Sequence, residues 1–143
     1  MRRSFLLLSL ALTLGALLLL PSSAIAAPYD GSDPGATGCA SSAYTISSFY
    51  DRYYGGYVEL RYSTSCSTAW ARFSCAPGPI GCGDNNVTIV RLGYSPDGYA
   101  RYDVPFGAAG QTVWTPQVYD GGNNQSIACI WYGTSIQQCT APF

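Results

Sequence analysis

Histidine and lysine are both missing from this chain. All 7 basic residues are arginine, and Glu59 is the only glutamate. Without histidine there is no Ser-His-Asp or Cys-His relay and no imidazole metal ligand. Without lysine there is no Schiff base, no Ser-Lys dyad and no phosphate-loop lysine. No Cys-x-x-Cys occurs, which removes the usual thiolate zinc site. The two aspartates of Asp30-Gly31-Ser32-Asp33-Pro34 match no calcium loop and read as turn chemistry. No cofactor motif is present, so neither a metal nor a cofactor is expected. Charged residues are 10% of the sequence, too sparse for the basic stripe that nucleic acid or an anionic membrane surface would need.

One long apolar run does exist, at the start. Arg2-Arg3, then Phe5–Leu20, then Ala24-Ile25-Ala26 are the three parts of a secretory signal peptide. The run is short for a membrane span, and no cysteine stands at the cleavage site to carry a lipid. Arg2-Arg3-Ser4-Phe5-Leu6 also resembles a twin-arginine signal, although the Leu-rich core favours the general secretory route. Residues 1–26 are therefore expected to be removed, leaving 27–143 as one secreted domain with no stable membrane anchor. Without Arg2 and Arg3, five of the 7 arginines remain against 8 carboxylates, a formal charge of −3.

The 6 cysteines all lie in the exported part and imply three disulfides, for which sequence alone allows fifteen connectivities. Between them, short runs read as strands, with apolar and polar residues alternating at period two in 43–50, 57–63 and 69–73. The runs are 43–50, 57–63, 69–73, 87–94, 99–104, 112–119, 126–132 and 135–140. In 43–50, with Tyr44, Ile46, Ser48 and Tyr50 on one side, helix competes with strand because neither proline nor glycine interrupts it. Ser95-Pro96-Asp97-Gly98 is a strong β-turn that folds 87–104 into a hairpin, with Arg91 and Arg101 on its polar face. Pro116 pushes 112–119 towards an edge or bulge. The pattern predicts an all-β fold, a small disulfide-stapled antiparallel sandwich or barrel of about seven short strands.

Tyr57–Ser63 and Ala69–Phe73 form the central hairpin. Setting Val58 opposite Phe73, Leu60 opposite Ala71 and Tyr62 opposite Ala69 gives one continuous apolar face, which a slip of one residue would destroy. The other face then carries Tyr57, Glu59, Arg61, Trp70 and Arg72. Glu59 opposes Arg72 and lies near Arg61, which is expected to stack on Trp70 as part of a structural cross-strand ladder. Two flanking arginines suit Glu59 to an ion pair and spoil it as a general acid.

Glu59-Leu60-Arg61-Tyr62-Ser63, Cys66 and Trp70-Ala71-Arg72 resemble the core motif of the YjfA-like family of small secreted bacterial proteins. Asp30-Gly31-Ser32-Asp33-Pro34, Thr37-Gly38-Cys39 and Trp114-Thr115-Pro116 resemble further elements of it. That family has no known function, so the resemblance implies secretion and a shared architecture but no catalytic residues. Its paired motifs imply a Cys39–Cys66 bridge. Nearest remaining neighbours then give Cys75–Cys82 and Cys129–Cys139.

Carboxylates alone remain for catalysis, with Glu59, Asp84, Asp97, Asp103 and Asp120 as candidates for glycoside hydrolysis. None has a recognisable catalytic neighbourhood, and most of the aspartates fall in turns, so an enzyme is not expected. With 12 tyrosines and 3 tryptophans among Ser, Gly and Asn, the composition resembles a recognition surface. β-Proteins in general also favour tyrosine. The expectation is a non-enzymatic binding module, at the cell surface or in the medium, for a polysaccharide, envelope component or protein. Tyr50, Tyr53, Tyr54, Tyr57 and Trp114 are its candidate contacts. An inhibitor presenting the Cys75–Cys82 loop to an extracellular enzyme, and a small carboxylate hydrolase, are the alternatives. Asn86-Val87-Thr88 and Asn124-Gln125-Ser126 are glycosylation sequons, relevant only in a eukaryotic host.

Overall fold

The alternating runs become strands, and nine are found among the described residues. The computed structural model describes 27–143 apart from 79–81, 84 and 94–96, with backbone alone at 136 and 137. The leader 1–26, Asp84, the tip of the Cys75–Cys82 loop and Ser95-Pro96 of the β-turn lie outside the described residues. The strands are β1 (Ala43–Asp51), β2 (Gly56–Ser63), β3 (Thr68–Cys75), β4 (Asn86–Arg91), β5 (Ala100–Pro105), β6 (Thr112–Trp114), β7 (Val118–Tyr119), β8 (Ser126–Tyr132) and β9 (Ser135–Cys139). One sheet runs β1-β2-β3-β6, with β7 also paired to β3; the other runs β5-β4-β8-β9. Every pairing is antiparallel. The two sheets are separate, so the fold is a sandwich and not a barrel.

The β2–β3 register sets Val58 against Phe73, Leu60 against Ala71 and Tyr62 against Ala69. That places Val58, Leu60, Ala71 and Phe73 on the inner face, where they meet Val87, Ile89, Ala128 and Ile130 of the other sheet, all fully buried. Phe106 stacks on Phe73 with ring centroids 4.1 Å apart. Each large apolar side chain buried here contributes roughly 1.5–3 kcal/mol, so this layer sets the stability scale. Disulfides join Cys39 to Cys66, Cys75 to Cys82 and Cys129 to Cys139.

Three expectations are corrected. Strand β1 does not keep Tyr44, Ile46, Ser48 and Tyr50 on one side, because a bulge lies between Thr45 and Ser47. Tyr44 pairs with Tyr62, while Ser48 and Tyr50 pair with Glu59 and Tyr57 on the opposite face. The run 112–119 is two strands, β6 and β7, interrupted at Thr115-Pro116-Gln117. Proline has no N–H to give the ladder, and the Gln117 backbone turns instead to the N-terminal segment: its N–H donates to Ser32 O and its carbonyl accepts from Gly31 N. Finally, Arg91 does not share a face with Arg101. Val90 opposes Arg101, so Arg91 points inward with Val87 and Ile89, at the end of the sandwich.

Arg91 is 2% exposed, and its charge is met there. Its Nη1 lies 2.8 Å from Asp30 Oδ2, and its other nitrogens donate to the carbonyls of Asp97 and Gly98. Asp30 also accepts from the Tyr119 backbone N–H. Fully buried Gln117 completes the attachment of the lead-in. It accepts from the Thr68 hydroxyl and donates to the hydroxyls of Ser32 and Thr37. With the Cys39–Cys66 bridge, these contacts hold residues 30–40 beside the five-stranded sheet.

Candidate functional site

The outer face of the five-stranded sheet carries three rows of side chains, set by the strand registers. Across β1, β2, β3 and β6 the first row is Tyr50, Tyr57, Ser74 and Thr112; the second is Ser48, Glu59, Arg72 and Trp114. The third, across β1 to β3, is Thr45, Arg61 and Trp70. Tyr57, Glu59, Arg61, Trp70 and Arg72 of the central hairpin thus share a face with Tyr50 and Trp114.

Glu59 takes Arg72 in a bidentate grip, Nε to Oε2 at 2.6 Å and Nη2 to Oε1 at 2.7 Å. Thr45 donates its hydroxyl to Glu59 Oε1 and accepts from Arg61 Nη1, both at 2.7 Å. Arg61 Nη2 donates to Ala43 O. The expected stack of Arg61 on Trp70 is replaced by these bonds to β1. The cation–π contact found among the described residues is on the other sheet, with the Arg101 guanidinium 4.0 Å from the Trp131 ring centre. Burial works to raise the Glu59 carboxyl, but hydrogen bonds from Arg72 and Thr45 and the two guanidinium charges hold it below the ordinary value. Burial, then the charge of Arg72, lowers the Arg61 guanidinium despite the attraction of Glu59.

Beside this ladder lies a cleft of roughly 370 Å³ between the sheet and the lead-in. Arg61, Arg72, Trp70 and Trp114 line it from the sheet, and Pro34 and Gly35 from the lead-in. Trp70 is nearly buried, whereas Trp114 is 45% exposed with its orientation fixed by a 2.9 Å bond from Nε1 to Asp33 Oδ2. That bond, with backbone N–H bonds from Ala36 and Gly35, keeps the Asp33 carboxyl below its ordinary value. Asp33 acts as a turn cap. The implied Cys39–Cys66 bridge ties the lead-in to the hairpin loop, but its place as a wall of the cleft depends on contacts to Gln117, 80 or more residues away, which leave no local signal.

The candidate aromatics separate into two groups. Tyr50 and Tyr57 pack edge to face at 5.0 Å on the outer face, both about half exposed. Tyr53 and Tyr54 instead join Tyr132 and Phe106 at the end of the sandwich. Tyr54 packs against the core, and Asn85 Nδ2 donates to its hydroxyl. Burial and the hydrogen-bonded Asp51 carboxylate push the Tyr132 phenol well above its usual range. Only Tyr53, 79% exposed, is open to solvent in that group.

The candidate carboxylates are dispersed among structural partners. Asp103 pairs with Arg101 and accepts from Thr88; Asp97 accepts from Asn124. Asp120 accepts from Ser126 Oγ at 2.9 Å, and its Oδ2 is buried without a partner among the described residues. Burial raises its carboxyl to about 6, against the Ser126 bond and the attraction of Arg91. Among the described residues no group of three His, Cys, Asp or Glu side chains is placed to hold a metal.

Fold and site together define a disulfide-stabilised, two-sheet β-module with an aromatic and arginine-bearing outer face. The chain belongs to the family of proteins of unknown function DUF2690, whose model matches residues 27–129. No curated protein and no solved structure matches it.

Proposed function

We propose that the chain is exported and works as a non-enzymatic binding module, taking an extracellular polysaccharide on the outer face of its five-stranded sheet. The leader pattern at 1–26 and the resemblance to the YjfA-like secreted proteins support export. Three disulfides fit an oxidising compartment. Among the described residues no helix is long and apolar enough to cross a membrane.

The observation that carries the reading is the sharing of one rigid face by Tyr50, Tyr57 and Trp114, all near half exposed, with an indole-lined cleft beside them. Sugar rings present apolar C–H faces that pack on such aromatic rings, while their hydroxyls meet polar neighbours. A sheet whose side chains are already fixed loses little entropy on binding. Pull-down of the purified protein on insoluble cell-wall polymers tests this. Retention should fall sharply in Tyr57→Ala/Tyr50→Ala and in Trp114→Ala, while Tyr53→Ala, on the other aromatic group, is retained like the parent. Retention unchanged by the first two variants would remove this face as the contact.

A further inference from the structure

Two other arginines among the described residues are each matched by an acid. Buried Arg91 has Asp30 and Arg101 has Asp103, but Arg61 and Arg72 share the single carboxylate of Glu59. Both line the cleft. Each guanidinium has five N–H groups and uses two, Arg72 on Glu59 and Arg61 on Thr45 and Ala43. The others have no partner among the described residues. The Trp70 indole N–H likewise makes no hydrogen bond among them. The cleft therefore combines surplus, oriented donors with the fixed ring of Trp114 in a volume that holds roughly one or two sugar rings.

We propose that this cleft selects a carboxylated sugar, a uronate unit of an acidic polysaccharide. Its carboxylate accepts from the open edges of Arg61 and Arg72, and its ring lies against Trp114. Glu59 already shows the planar fork by which Arg72 takes a carboxylate. Burial and then the neighbouring Arg72 charge lower the Arg61 guanidinium, and an added anion would offset that second effect. The inference rests on the polysaccharide reading above and names the ligand class for the same face.

The test is calorimetric titration of the purified, disulfide-intact protein with oligogalacturonate, with its methyl ester, and with a glycerol-phosphate oligomer. The ester keeps the ring and removes the charge. The acid should bind, weaken with added salt, and exceed the ester and the phosphate oligomer by about tenfold or more. Arg61→Gln, which leaves the Glu59–Arg72 pair intact, should bring acid and ester within about threefold. The acid–ester comparison needs no variant, so a folding defect in Arg61→Gln leaves the test standing. Equal binding of acid and ester, or a preference for the phosphate oligomer, would overturn the uronate site while wall retention through Tyr50 and Tyr57 persisted. Loss of wall retention as well would remove both readings.

Discussion

Replacing Asp120 with asparagine should shift the stability of the variant relative to the parent in the variant's favour as pH rises from 4 to 7. Asp120 is 6% exposed and accepts one hydrogen bond, from Ser126, while Oδ2 has no partner among the described residues. Its carboxyl is raised to about 6 in the folded state, from an ordinary value near 4. A group raised in this way contributes stability that is fully present below its unfolded value and is lost as pH rises through the folded one. Moving an ionisation midpoint from about 4 to about 6 corresponds to about 3 kcal/mol. That is the cost to the folded protein at pH 7 of holding Asp120 charged, with the help of Arg91 already included. Asparagine keeps an oxygen for Ser126 and cannot ionise.

The assay is urea unfolding of parent and variant at pH 4, 5, 6 and 7, followed by tryptophan fluorescence. The substitution has a cost of its own, since an amide N–H₂ replaces Oδ2 in a buried site, but that cost does not depend on pH. The informative quantity is the change in the variant-minus-parent difference between pH 4 and pH 7. It should be about 2 kcal/mol in favour of the variant, slightly below the full amount because the unfolded carboxyl is already partly ionised at pH 4. A difference that stays flat across this range would refute the reasoning, whatever its sign.

Glu59→Gln should behave with the opposite sign. The lowered Glu59 carboxyl contributes stability above its unfolded value that is lost as pH falls through the folded one, so the variant should lose about 1 kcal/mol at pH 7 and less at pH 3, measured by the same unfolding. The modest figure reflects the partial exposure of Arg72. Gln117→Leu should cost roughly 2–4 kcal/mol, because it strands the buried Thr68 hydroxyl and removes the amide bonds to the hydroxyls of Ser32 and Thr37. It should also speed proteolysis within 30–40, read by mass spectrometry. Gly56→Ala should cost roughly 2–4 kcal/mol in denaturant, since a methyl group there would lie 2.6 Å from Phe73 Cε2 and 2.8 Å from the Ser74 carbonyl.

The central hairpin was legible because alternation with one buried face leaves a single acceptable register, and β2 and β3 adopt it. The same arithmetic reaches Arg91, two and four residues from Ile89 and Val87, and puts it inside. An arginine invites an outward reading, yet Asp30 and three backbone carbonyls receive it at the end of the sandwich. The approach of Asp30, 61 residues from Arg91, leaves no local signal, although the Asp97 and Gly98 carbonyls come from the turn of the same hairpin. The β1 bulge is equally silent: Ile46 is an ordinary strand residue, and the extra position is set by pairing with β2. For the candidate site, the rows through Glu59 and Arg61 followed from the hairpin. Joining Tyr50 and Trp114 to them required the strand order, and the cleft required the lead-in to be laid beside the sheet.

A structural ladder and a ligand-reading surface are competing readings of Glu59, Arg61 and Arg72 only while the chain is viewed as a line. In the fold, Glu59 holds the Arg72 guanidinium, Thr45 and Ala43 hold that of Arg61, and both arginines line the cleft. An unrestrained surface arginine would lose rotamer freedom on meeting an anion; these two have lost it already on folding. Glu59 also cancels one of the two charges, which keeps the pair tolerable in a partly buried place and leaves the one net positive charge on which the proposed uronate site depends. On the proposed uronate reading, the hydrogen bonds that stabilise the hairpin are the same ones that prepare Arg61 and Arg72 for a ligand.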